Sequence, residues 1–148
     1  MNVIFLNNLV FDEKLKPVFE DAKFINEYLL ENINLKSAFL SKAKYFYRKR
    51  EEGNSTLNLK LHSKEFFLVV PKYGYLKILH KNFSYSFICK LVLYELYLHV
   101  IDMINSPEKA SILNESEKQR YLELLDQNFS YIDTDIIMDF NLAGCWFF

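Results

Sequence analysis

Glu95, His99 and Asp102 stand at positions i, i+4 and i+7. On a helix turning 100° per residue, that spacing puts two carboxylates and an imidazole on one face. A Glu-x3-His pair presented this way is a starting point for a divalent metal site. A shell needs further donors, however, and His62 and His80 fall at no ligand spacing. The two cysteines, Cys89 and Cys145, are too few and too far apart for a zinc site or a disulfide framework. A solvated polar stripe explains the three residues without a metal, so no metal ligand and no cofactor is assigned.

A second constellation is Asp133-x-Asp135-x3-Asp139, which lacks the glycine and the terminal glutamate of a calcium loop. Together with Glu123 and Asp126 it forms a candidate acidic patch able to steer a basic protein partner. A third is the basic run containing Lys42, Lys44, Arg48, Lys49 and Arg50, interleaved with Tyr45 and Tyr47. Lysine and arginine neutralise phosphates and tyrosine stacks on bases, so this run is the alternative, nucleic-acid-binding candidate. Cations near a helix C-terminus are also favoured by the helix dipole alone.

The charge is unevenly distributed. Residues 1–35 hold three bases and six acids, residues 36–90 twelve and three, and residues 91–148 three and ten. The blocks nearly cancel to a net −1, a balance unlike that of a dedicated nucleic-acid binder. With only 3 glycines there is little material for a phosphate-cradling loop, and no Gly-x-Ser-x-Gly elbow occurs. No catalytic residue is assigned, and the balance of these features leans away from an enzyme.

These residues need a scaffold. Ser84–Asn105 is the longest apolar stretch, and its Lys90, Glu95, His99 and Asp102 exclude a simple membrane span. Its apolar residues avoid period two, so it reads as a central helix, buried on most sides and wet along the Glu95 stripe. Helices are expected from about Leu15 to Ile33, from Leu35 through the basic run ending at Arg50, and after Ser106-Pro107-Glu108. A further one runs to about Phe129, with Ser116 and Gln119 as its capping box.

Thr56–His62 alternates, Glu65–Val70 is an apolar run stopped by Pro71, and Gly74–His80 alternates again, which reads as a three-stranded antiparallel meander. Lys60, Tyr75 and Lys77 would then lie on that sheet. Tyr131–Phe140 is expected as a further strand with its three aspartates outward. The order helix, three strands, helix matches the core of many metal-dependent nucleases, but Phe66–Val70 and Tyr75–Lys77 lack the acids that chemistry requires.

The expectation is one α+β domain over residues 1–148, helices around a small antiparallel sheet at about 56–80. The N-terminus has no basic region and no small-residue cleavage site, pointing to a cytoplasmic protein without membrane contact. The apolar end Cys145–Phe148 is expected to pack on the body or a partner. The functional expectation is a non-catalytic protein-binding module, a stoichiometric inhibitor of the immunity-protein or antitoxin kind. Its acidic patch would cover a basic, nuclease-like partner, and nucleic-acid association through the 36–90 block is the alternative.

Overall fold

The computed structural model describes residues 9–15, 18–34, 36, 41–44 and 63–141. Among them the protein is helical, with no strand, which overturns the α+β expectation. Helix α1 spans Glu20–Glu31, and α2 (Lys64–Leu68), a π turn (Val70–Tyr75) and α3 (Leu76–Asn82) follow one another directly. Then come α4 (Ser86–Asn105), α5 (Pro107–Ala110), α6 (Glu115–Phe129) and α7 (Thr134–Met138). The expected strand Thr56–His62, most of the helix Leu35–Arg50 and the end Cys145–Phe148 lie outside the described residues.

Two of the expected strands, Glu65–Val70 and Gly74–His80, are a single helical rod from Lys64 to Asn82. Its junctions at Val69 and Leu76 keep right-handed helical backbone angles. The buried residues come in pairs four apart: Phe66 and Phe67, Val70 and Pro71, Gly74 and Tyr75, Ile78 and Leu79. An ideal α-helix repeats every 3.6 residues, so this pattern would drift by about 120° over its length. The wide π turn absorbs that drift and holds all four pairs against the core.

Pro71 accounts for the position of the π turn. Its nitrogen carries no hydrogen, and in a regular helix its ring would strike the carbonyl one turn back. Widening the turn removes the clash, and the freed Pro71 carbonyl accepts from the Leu76 N–H, five residues on. The same carbonyl accepts a second bond, 3.2 Å from Nδ2 of the buried Asn128. Asn128 Nδ2 also donates to the Leu124 carbonyl at 2.7 Å, which fixes the amide in place.

Helix α4 matches the expected central helix, beginning two residues inside it. Ile88, Cys89, Val92, Leu93 and Leu96 face the core with Tyr121 and Leu124 of α6. The α6 cap is Asn114 rather than Ser116: its side chain accepts from the Glu117 N–H at 2.9 Å, and Glu117 accepts from the Asn114 N–H at 2.9 Å. Lys64 then reaches Glu117 at 2.6 Å, joining the start of α2 to the start of α6. Ser106 does precede a helix, although its hydroxyl makes no capping bond. Tyr131–Phe140 is not a strand: Asp133 caps α7 by accepting from the Asp135 N–H.

The N-terminal segment folds back over this frame. Helix α1 starts at Glu20, later than the expected Leu15, because Phe19 adopts φ 69° in the left-handed region and turns the chain sharply. Phe19 packs edge-on to Tyr75 with ring centres 4.7 Å apart. Gly74 makes this possible, since a Cβ there would lie 2.9 Å from the Phe19 ring.

Gly74→Ala therefore sets two effects against each other. Alanine favours a helix by about 0.5–1 kcal/mol, while overpacking a filled site costs about 1–3 kcal/mol. The packing cost is expected to win, with a lower urea midpoint in equilibrium unfolding. A raised midpoint would show that the Phe19 segment is not seated as described.

Candidate functional site

Two polar assemblies stand out, one buried and one open. The buried one is centred on His99, which is 2 % exposed. Its ring stacks on Phe66 with centres 3.9 Å apart, meets Tyr75 edge-on at 5.5 Å, and lies 3.3 Å through Nδ1 from the Tyr121 hydroxyl. Nε2 is buried without a partner among the described residues. Burial depresses the imidazole to a pKa of about 3, against a small opposing pull from Asp102. It is neutral at physiological pH and works as a flat, polar core residue.

The expected wet stripe is thus corrected, because α4 turns it toward the body. Glu95 is half-buried, and its Oε2 lies 3.5 Å from the Tyr75 hydroxyl, at the outer limit of a hydrogen bond. Burial raises the Glu95 carboxyl, the Tyr75 hydroxyl opposes this, and the charge of Asp21 adds to it. Burial, followed by the charge of Glu95, also pushes the Tyr75 hydroxyl well up. Asp102 points elsewhere and holds Lys109 of α5 at 2.6 Å. Among the described residues no three histidine, cysteine or acidic side chains are arranged to hold a metal ion.

The open assembly is a cleft of about 670 Å³ between the Asp12–Lys14 turn and the outer face of the rod. The rod supplies Lys72 and Tyr73 from the π turn, then Leu76 and Lys77, then His80 and Lys81. These pairs also recur every four residues, interleaved with the core pairs. The π turn that keeps Tyr75 and Ile78 inside therefore also brings Lys72, Lys77 and Lys81 into one line. Lys14 and Lys72 place their ammoniums 5.3 and 5.0 Å from the centre of the Tyr73 ring, whose π face attracts cations.

Four lysines face one carboxylate in this cleft. Asp12 is already engaged: the buried Lys23 donates to its Oδ2 at 3.0 Å, and Lys77 lies 3.8 Å from the same oxygen. Partial burial would raise the Asp12 carboxyl, but Lys23, the Lys14 N–H and Lys77 together hold it below the usual value. The cleft therefore keeps a net positive charge.

The five acids singled out from the sequence lie on or beside two consecutive helices, α6 and α7. Glu123 and Asp126 lie on α6, the former 3.1 Å from Arg120. Asp133, Asp135 and Asp139 occupy the cap, first turn and end of α7, and all five acids are exposed. Lys42 and Lys44 are exposed, and Arg48, Lys49 and Arg50 lie outside the described residues. Tyr75 and Lys77 do not share a surface, since Tyr75 is buried and Lys77 exposed. The cleft lysines were missed because only Lys77 falls within an expected strand, with Lys72 and Lys81 left in its connections, whereas one helical rod with a period of four gathers all three.

His99 has a measurable signature. Below pH about 6.5 the unfolded chain protonates this histidine and the folded one does not until about pH 3. Stability should therefore fall on acidification through that window, by about 1.4 kcal/mol per pH unit from this group. Glu95, with its pKa raised, acts with the opposite sign. The difference between the protein and His99→Gln isolates the imidazole: the variant should lose stability less steeply between pH 6 and pH 4 by chemical denaturation. Parallel profiles would mean that His99 is solvated.

Over 141 residues the chain is 31% identical to the minor teichoic acid biosynthesis protein GgaB of Bacillus subtilis (strain 168), covering 90% of this chain and 15% of that protein. It is 25% identical over 138 residues to the minor teichoic acid biosynthesis protein GgaA of the same organism, covering 90% of this chain and 30% of that protein. The chain thus spans less than a third of the length of either relative. No family model and no solved structure matches it. Both relatives are named for a biosynthetic process. That finding overturns the inhibitor expectation of an immunity protein or antitoxin.

Proposed function

We propose that this chain is a helical module serving teichoic acid biosynthesis, the construction of an anionic, phosphate-containing polymer. One observation carries the reading. The alignments with GgaA and GgaB each take in 90% of this chain, yet they occupy 30% of one relative and 15% of the other. A segment common to two proteins of one named process, set in such different amounts of further chain, belongs with what they have in common.

The charge of the cleft agrees with that process, since an anionic polymer or its precursors need cationic contacts. His99 is buried and neutral, so the accessible polar feature is a binding surface. The protein partner expected from the sequence becomes, in this reading, another component of that biosynthesis. The cytoplasmic location expected from the sequence is kept. Among the described residues no helix is long and apolar enough to cross a membrane.

Removing the coding region for residues 63–141 in the native host should lower the phosphate-containing polymer recovered from purified cell walls. The measurement is wall phosphate per dry mass, with the intact gene restored as a control. Unchanged wall phosphate would overturn the proposal.

A further inference from the structure

We infer that the cleft between the Asp12–Lys14 turn and the outer face of the Lys64–Asn82 rod binds the phosphodiester chain of an anionic sugar- or polyol-phosphate polymer. The inference rests on the proposed role in teichoic acid biosynthesis and names the ligand of the accessible site.

The first argument is electrostatic. Lys14, Lys72, Lys77 and Lys81 line one cleft, and ammoniums gathered in this way repel one another. The chain supplies two compensations, and neither neutralises the set. Tyr73 draws the Lys14 and Lys72 ammoniums to within 5.3 and 5.0 Å of its ring centre. Asp12 is shared between Lys77 and the buried Lys23. Lys14, Lys72 and Lys81 have no carboxylate partner among the described residues. A site held in this state gains from an anion supplied from outside.

The second argument is the type and spacing of the cations. All four are lysines, compact point charges on flexible stems, and none is an arginine with a rigid fork. A fork suits one fixed, two-pronged anion, whereas mobile ammoniums suit phosphates that recur along a chain and slide. Lys77 and Lys81 are one helical turn apart on the rod, and Lys72 lies on the turn before, so the cations form a row. A row fits a linear polyanion better than a single phosphate. The cleft is open to solvent, with Leu76 as apolar surface for the carbon backbone between phosphates.

The test uses the purified full chain and three probes: extracted wall teichoic acid, a single-stranded oligonucleotide with about the same number of phosphates, and a nucleotide-linked sugar. Binding is followed by calorimetry over a series of salt concentrations. The teichoic acid should bind saturably, with affinity falling as salt rises. Lys14→Gln, Lys72→Gln, Lys77→Gln and Lys81→Gln combined should abolish binding, and each alone should flatten the salt dependence by about one contact.

Because these side chains are exposed or tied only loosely, the variants should unfold at the same urea concentration as the parent. Lys90→Gln, on the exposed side of α4, should leave binding unchanged. Tighter binding of the nucleotide-linked sugar would overturn the polymer assignment in favour of a precursor. Equal binding of the oligonucleotide would reduce the cleft to a general polyanion surface and overturn it too. If wall phosphate falls on deletion but teichoic acid does not bind, this inference fails and the proposed function stands. If teichoic acid binds but wall phosphate is unchanged, the proposed function fails and the cleft remains.

Discussion

The missing hydrogen on the Pro71 nitrogen is the constraint from which most of this structure follows. A regular helix would set the proline ring against a carbonyl, so the backbone opens into a π turn. The opened turn is held by one buried amide, that of Asn128, whose Nδ2 donates to the carbonyls of Pro71 and Leu124. Lys64–Glu117, Phe67–Tyr121 and Pro71–Asn128 then meet in order along the two elements. The rod and α6 consequently lie side by side with the same chain direction. A charged pair at the wet end, an aromatic contact and a buried hydrogen bond fix one register between them.

Around this axis the protein buries aromatic rings and their polar tips together. Phe66, Phe67, Tyr75, His99 and Tyr121 pack with centre distances of 3.9–6.4 Å in stacked and edge-on arrangements. Such pairs contribute about 0.5–1.5 kcal/mol each beyond the area they bury. The charged alternatives are suppressed rather than used: burial keeps the imidazole neutral and both tyrosine hydroxyls protonated. The chemistry left accessible is accordingly displayed on the opposite side of the rod.

Long, regular elements were legible in the sequence and irregular ones were not. Ser86–Asn105 was found because twenty residues of mixed apolar periodicity leave no room for a strand. The cap of α6 was placed two residues late because Asn114 with Glu117 and Ser116 with Gln119 satisfy the same pattern. Asn114 wins where Glu117 can also reach Lys64. The alternation of Ile132, Thr134 and Ile136 favours a strand, and it masks Asp133 as a helix cap. The rod was hidden for a deeper reason. A spacing of four is even, so it satisfies a period-two template, while it drifts out of an α-helical one. Pro71 reads as a stop and Gly74 as the start of a new strand, although one causes the π turn and the other makes room for Phe19. The cleft was lost together with the rod that builds it.

Shared register also makes the rod intolerant of changes in length. Core pairs and cleft pairs alternate along one backbone, two residues for the interior and two for the solvent side. With the π turn kept, losing Leu76 from the regular helix that follows it would rotate everything after it by about 100°. Ile78 and Leu79 would swing out of the interior at the moment Lys77 and Lys81 left the cleft. Point substitutions can alter either face separately. Insertions and deletions cannot, so this stretch is expected to vary among descendants in letters but not in length.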